Sequence, residues 1–210
     1  MSYLYNSLPD SFEERLETRH LILRPYQQGD ENDFMQLLSE NMPMMVPAFS
    51  TRPVQVRTLE DARNMVQQLR ADWDNRKVFE FGVWLKDQEK YIGDISLKNL
   101  DYKIPKAELG MYFAAWATNK THAQQALEAI VAFAFNTLVL NKVYIRCTNA
   151  NAFIGELAEA CGFIKEGILR SDYKGADSEE LLDLSYYGMT REDFELKQKQ
   201  KKLTQAEVEA

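Results

Sequence analysis

The sequence predicts one α/β (α+β) domain built on a mixed sheet, and three observations lead there. Short runs rich in β-branched and aromatic residues recur from residue 19 to residue 189. Segments with apolar residues at helical spacing fall between them, several opened by a capping residue. No internal repeat, low-complexity linker or change of composition divides the chain. Strands and helices mixed in this way give a single layered domain.

Each element has its own local reason. "RHLILRPY" (19–26) alternates and is rich in Leu and Ile, which predicts a strand. "GDENDFMQLLSEN" follows as a helix, with Asp30 as N-cap and Phe34, Leu37 and Leu38 on one face. "MPMMVPAFSTRPVQ" (42–55) holds three prolines and reads as loop. Thr58, with Asp61 three residues on, opens a second helix through a near capping box. "VFEFGVWLK" and "KYIGDISLKNL" read as a hairpin around "DQE", and "KAELGMYFAAW" as the next strand. In "WATNKTHAQQALEAIVAFAF" (116–135) a loop enters a helix, with Thr118, Asn119 or Thr121 as its cap. "NKVYIRCTN" is a strand, "AFIGELAEACGF" a short helix ending at Gly162, and "IKEGILRSDY" and "SEELLDLSYYGM" two more strands. Thr190, with Asp193 three residues on, caps a last helix. The basic run Lys197 to Lys202 then reads as a solvated terminal helix or tail. Residues 1–194 are expected to form the domain and 195–210 the charged end.

Composition narrows the function classes. A chain of 210 residues with 45% hydrophobic and 27% charged residues can bury a real core. Its net charge of -7 and lack of a basic stripe argue against nucleic acid as partner. No stretch reaches the apolar length of a membrane helix, and the first residues do not read as a secretory signal, so no membrane partner is expected. Cys147 and Cys161 each sit in an apolar segment and read as reduced core thiols of a cytoplasmic protein. No zinc spacing, dinucleotide glycine fingerprint or Ser/His/Asp set is present, and no metal site is expected.

From Ala107 onward the order of motifs resembles a known family. "AELGMYFAAW", the loop and helix after it, Asn151, Gly162-Phe163, "EGILR" (166–170), Gly175, Asp183 and "YYG" keep the order found in GNAT-type N-acetyltransferases. With "LETRHLILRPY" near the start, the pattern is most similar to the branch of the ribosomal-protein-alanine acetyltransferases and covers residues 16 to 194. The resemblance implies a twisted mixed sheet splayed between the fourth and fifth strands, with helices on both faces. It also implies acetyl-coenzyme A (acetyl-CoA) as co-substrate, lying in the split and passing its acetyl group directly to a small-molecule or peptide amine, in a monomer or homodimer.

That resemblance assigns residues. The backbone of Tyr112, Phe113, Ala114 and Ala115 would be an open edge able to pair with the amide-bearing arm of the cofactor. Residues 118 to 123 (Thr118, Asn119, Lys120, Thr121, His122, Ala123) would hold the diphosphate at a helix N-terminus. The glycines usual there fall on Asn119 and Thr121, so polarity is kept while backbone freedom is lost. Asn151 would bind the cofactor arm or cap its helix. Glu108 is the first candidate general base and Glu80 the second, with Asp94 also considered. The serine or tyrosine that often protonates the leaving thiolate falls here on Ile154 and Ala158, which leaves Tyr112, Tyr173 or water for that role. Met44, Met45 and Tyr173 would line the acceptor pocket. The missing glycines and missing acid keep a second reading open, a catalytically silent GNAT-like binding module.

Overall fold

The computed structural model of the protein describes residues 11–45, 55–101, 103–117, 120–148, 151–174 and 179–208, the side chains of 42–45 and 205–208 excepted. The first half forms β1 (Leu16–Glu17), β2 (Leu21–Arg24), α1 (Glu31–Met45), α2 (Leu59–Asp74), β3 (Phe79–Leu85) and β4 (Lys90–Asp101). Then come β5 (Lys106–Phe113), a 3-10 turn (Ala115–Ala117) and α3 (Lys120–Ala132), which runs into a π-helical turn (Phe133–Thr137). The last elements are β6 (Lys142–Thr148), α4 (Ala152–Ala160), β7 (Ile164–Lys174), β8 (Leu181–Thr190) and α5 (Arg191–Val208).

All eight strands join one sheet in the order β1-β2-β3-β4-β5-β6-β8-β7. Every pair is antiparallel except β5 with β6. A parallel pair needs a crossover, and α3 supplies it. The short β1 is an addition to the strands read from sequence, so the fourth expected strand is β5 and the fifth β6. These two pair only from Lys106↔Lys142 to Leu109↔Ile145. Beyond that, β5 stays with β4 as far as Phe113, and β6 stays with β8 as far as Thr148. The sheet therefore splits where the resemblance placed the splay.

The two faces of the sheet differ in chemistry, as strand alternation dictates. Phe79, Phe81, Ile95, Leu97, Leu109, Val143 and Ile145 lie on the apolar face and are fully buried or nearly so. Trp73 of α2 packs there at 5.1 Å from Phe79 and 4.6 Å from Phe81, and Phe133 closes on Phe81 at 5.2 Å. On the other face, Tyr26 stacks edge-on with Phe34 of α1 at 5.3 Å and lies 6.2 Å from Trp84.

Helix ends follow the sequence where the cap is local. Thr58 and Asp61 form a full capping box at α2. At α5, Asp193 N–H donates to Thr190 Oγ1 at 3.2 Å and Thr190 N–H donates to Asp193 Oδ2 at 2.9 Å, a second box. Gly162 closes α4 with φ 91°, its N–H on Glu159 O and that of Phe163 on Ala158 O. That pair of bonds is a Schellman close, which favours glycine at the left-handed position.

Four expectations need correction. Helix α1 continues through Pro43 to Met45, where the prolines had suggested loop from residue 42. Proline removes one N–H near a helix end, and Asn41 Nδ2 donates to Leu37 O at 2.8 Å in that last stretch. Asp30 does precede α1, but its carboxylate takes Arg24 Nη1 at 2.7 Å and Nη2 at 2.8 Å together with the Gln27 N–H at 2.9 Å. A strand was expected through Trp116, but β5 ends at Phe113 and the 3-10 turn follows. Thr121 lies inside α3, one residue too late to cap it; Thr118 and Asn119 fall outside the described residues.

Candidate active site

The split exposes the edge of β5, but not along its whole backbone. In an antiparallel pair, alternate residues exchange hydrogen bonds with the partner strand, and those between them point the other way. Asp94 stands opposite Tyr112, and the Ala114 N–H donates to Ile92 O at 2.8 Å. Tyr112 and Ala114 therefore turn their backbone groups toward β4, and Met111 and Phe113 turn theirs into the cleft. The Ala115 N–H is also taken, by Asn41 Oδ1 of α1 at 2.9 Å. The expected four-residue edge from Tyr112 to Ala115 is thus reduced to alternate positions, because a strand presents only every second residue to one side.

The polar face of the central strands meets this cleft. Glu80, Ser96 and Gly110 stand opposite one another across β3, β4 and β5; Gly82, Asp94 and Tyr112 form the next row. Glu80, Asp94 and Ser96 are all buried, an unusual set for one side of a sheet. Tyr26 donates from its hydroxyl to Asp94 Oδ2 at 3.0 Å and lies 2.6 Å from Tyr91 Oη, which lies 3.3 Å from Tyr112 Oη. A chain of hydroxyls thus runs from a buried carboxylate to the cleft edge.

On the opposite wall, β6 carries Tyr144, Arg146 and Thr148 on the same face as Glu108. Thr148 is buried, and its Oγ1 has no hydrogen-bond partner among the described residues; Arg146 Nε is in the same condition. Buried polar atoms left so are costly and mark places where a bound molecule or water completes the set. These atoms, with the cleft-facing groups of Met111 and Phe113, fit an arm that carries amides.

The two candidate bases differ in setting. Glu108 lies at the closed root of the split, where Arg146 Nη2 and Asn99 Nδ2 each donate to its Oε2 at 2.8 Å. Lys98 Nζ adds a third positive or polar neighbour at 3.9 Å. Burial works against the Arg146 charge, but the bond to Glu108 outweighs it and raises the guanidinium pKa. Glu80 lies two strands from the cleft edge, in the row that contains Gly110.

The start of α3 brings Lys120, Thr121, His122 and Ala123 together as its first turn, with no acidic residue among them. Lys120 and Thr121 are exposed and Ala123 is buried. His122 faces His20 of the β1–β2 turn, ring centroids 5.9 Å apart, and burial, then His20, lowers its pKa. Asn151 sits at the N-cap of α4 without a side-chain capping bond, so capping does not occupy its amide. Tyr173 lies on β7 opposite Leu182, and its neighbour Asp172 acts on Arg146. The side chains of Met44 and Met45 fall outside the described residues.

Sequence reading did not single out Asn41, Tyr26, Tyr91, Arg146 or Thr148. For Arg146 and Thr148 a signal existed: in "KVYIRCT" alternation puts them on one face with Tyr144. Asn41, Tyr26 and Tyr91 act through partners 65 or more positions away along the chain, and no local pattern marks such contacts.

Among the described residues no helix is long and apolar enough to cross a membrane. Residues 20–164 match the family model described as an acetyltransferase (GNAT) domain. An uncharacterized N-acetyltransferase, p20, of Bacillus licheniformis is 24% identical over 181 residues, 86% of this chain and 98% of that protein. The crystal structure of the ribosomal-protein-S5-alanine acetyltransferase from Vibrio fischeri superposes with TM-score 0.78 at 19% identity, covering 86% of this chain and 98% of the other. The microcin C7 self-immunity acetyltransferase MccE, solved with acetyl-CoA and AMP, gives TM-score 0.75 at 19% identity, covering 82% and 93%.

Proposed function

Because this chain belongs to the GNAT acetyltransferase family, an N-acetyltransferase with acetyl-CoA as co-substrate, we propose that it acetylates a primary amine by direct attack in a ternary complex. The amine is a peptide N-terminus or a small molecule, and the setting is cytoplasmic, in keeping with the buried free thiols of Cys147 and Cys161. The observation that carries this reading is the split itself: an open β5 edge at Met111 and Phe113 faces a β6 wall with buried polar atoms lacking partners.

Acetyl-CoA supplies the acetyl group as a thioester. Met111 and Phe113 bind its arm as an added strand, and the Phe113 N–H polarises the carbonyl. Ala114 and Ala115 border that arm with their N–H groups already in use. The first turn of α3, Lys120 to Ala123, with Thr118 and Asn119 before it, holds the diphosphate through amide hydrogens, the helix dipole and the Lys120 charge. Asn151, its side chain not needed as a cap, holds an amide of the arm.

For proton removal, Glu80 takes precedence over Glu108. A carboxylate held by a guanidinium and an amide loses those bonds when protonated, which makes it a poor acceptor. Glu108 serves instead to hold β5 and β6 together at the root of the split. The leaving thiol needs little help, since thiol pKa values lie only modestly above neutral. Met44, Met45 and Tyr173 border the acceptor.

The experiment is steady-state acetyl transfer to a panel of alanyl peptides and small diamines, with Glu80→Gln and Glu108→Gln. Glu80→Gln is expected to lower turnover about 10²-fold or more at unchanged acetyl-CoA affinity. Full activity in Glu80→Gln, with loss in Glu108→Gln, would return the role of base to Glu108.

A further inference from the structure

We propose that Asp94, acting through the buried phenols of Tyr26 and Tyr91, fixes the direction of the Tyr112 hydroxyl so that it meets the incoming amine as a hydrogen-bond acceptor. The role of the amine rests on the transferase reading above; the direction of the hydroxyl does not.

Each phenol owns one hydrogen. A carboxylate only accepts, so Tyr26 spends its hydrogen on Asp94 Oδ2 at 3.0 Å. In the 2.6 Å contact between Tyr26 and Tyr91, Tyr91 must then be the donor. With its hydrogen committed, Tyr91 can only accept in the 3.3 Å contact with Tyr112. All three hydrogens thus point toward Asp94, and Tyr112 turns a lone pair outward. Asp94, Tyr26 and Tyr91 are 2%, 1% and 5% exposed, so water does not compete along the chain. Burial also pushes the Tyr91 phenol well above its ordinary range, which keeps its hydrogen in place.

The geometry changes what Tyr112 can do. To protonate a departing thiolate it would have to release Tyr91. An outward lone pair instead suits an N–H of the amine or ammonium and aims the nitrogen while Glu80 receives the proton. Asp94, Tyr26 and Tyr91 are positioning residues, and Tyr112 is the one that touches substrate.

The direct test is a pH titration of the full-length protein carrying 13C at tyrosine Cζ, read by NMR without any ligand. Asn at position 94 can donate to Tyr26 and let the chain reverse, so that Tyr91 donates to a Tyr112 phenolate. Tyr112 is therefore expected to ionise at lower pH in Asp94→Asn, by about tenfold in its ionisation constant. Tyr26→Phe frees the Tyr91 hydrogen by a different route and is expected to do the same. Glu80 and Glu108, on the same face, are common to all these proteins. Unchanged Tyr112 ionisation in both folded variants would overturn the proposal. A second arm measures turnover with an alanyl peptide. Tyr91→Phe is expected to raise the peptide KM, spare that of acetyl-CoA, and add nothing once Tyr112→Phe is present. Additive effects would overturn the assigned path. The titration needs no substrate, so failure of the transferase reading and failure of this one give different results.

Discussion

Glu108 and Arg146 show how one side chain decides where the sheet opens. Their 2.8 Å bond ties β5 to β6 one residue before the pairing ends. Arg146→Ala leaves a buried carboxylate short of its strongest partner and is expected to cost about 1.5–3 kcal/mol in chemical denaturation. A loss within 0.5 kcal/mol would mean the pair is not structural. Gly93 acts on the other side of β5. Its φ is 146°, and a Cβ there would overlap the Tyr112 carbonyl oxygen. Gly93→Ala is thus expected to displace β5 at the cleft, weakening acetyl-CoA binding by calorimetry more than Gly110→Ala, where the nearest atoms are side-chain ends at 3.2 Å. At both positions the residue type was visible in the sequence, but its partner lay on another strand. Hence Glu108 could be read as a base from its place in "AELG", while Arg146, which removes it from that role, could not.

At the scale of elements, local chemistry carried the reading a long way. The capping boxes at Thr58 and Thr190, the hairpin about 86–89 and the Gly162 close are each written within a few residues, and each formed as expected. Elements whose ends depend on contacts elsewhere were harder. Helix α1 passes Pro43, and β5 stops at Phe113, where Asn41 of that same helix takes the Ala115 N–H. The packing of α3, α4 and α5 makes a prediction in pH. Cys161, at the end of α4, is buried, which pushes its thiol up to about 11. Burial, then Tyr144, pushes Tyr186 on β8 up to about 12. The folded protein holds these hydrogens more tightly than the unfolded chain, whose thiols and phenols release them near 8.5 and 10. Their contribution is complete below about pH 8.5 and is lost as pH climbs toward 11 and then 12. The melting temperature is expected to be level from pH 7 to 8.5 and to fall above that, with the first part of the fall smaller in Cys161→Ala. A fall of the same size in Cys161→Ala would exclude the thiol as its cause.

The molecule as a whole is a sheet zipped shut at one end of a parallel pair and open at the other. Its apolar face was legible from the Phe, Leu and Ile positions of β3 to β6, because alternation needs no knowledge of neighbours. The polar face was only half legible. Glu80, Asp94, Glu108 and Tyr112 stood out as polar residues among apolar ones, yet the links from Tyr26 through Tyr91 arise only when strands distant in sequence become adjacent. The central claim is that the opened edge of β5 receives the arm of acetyl-CoA. Amide hydrogen exchange at single-residue resolution, with and without saturating acetyl-CoA, tests it most directly. The Phe113 amide and, to a lesser degree, that of Met111 are expected to gain protection, while Leu109, already paired with β6, changes little. Equal exchange at Phe113 in both conditions, in a protein that binds acetyl-CoA by calorimetry, would contradict it.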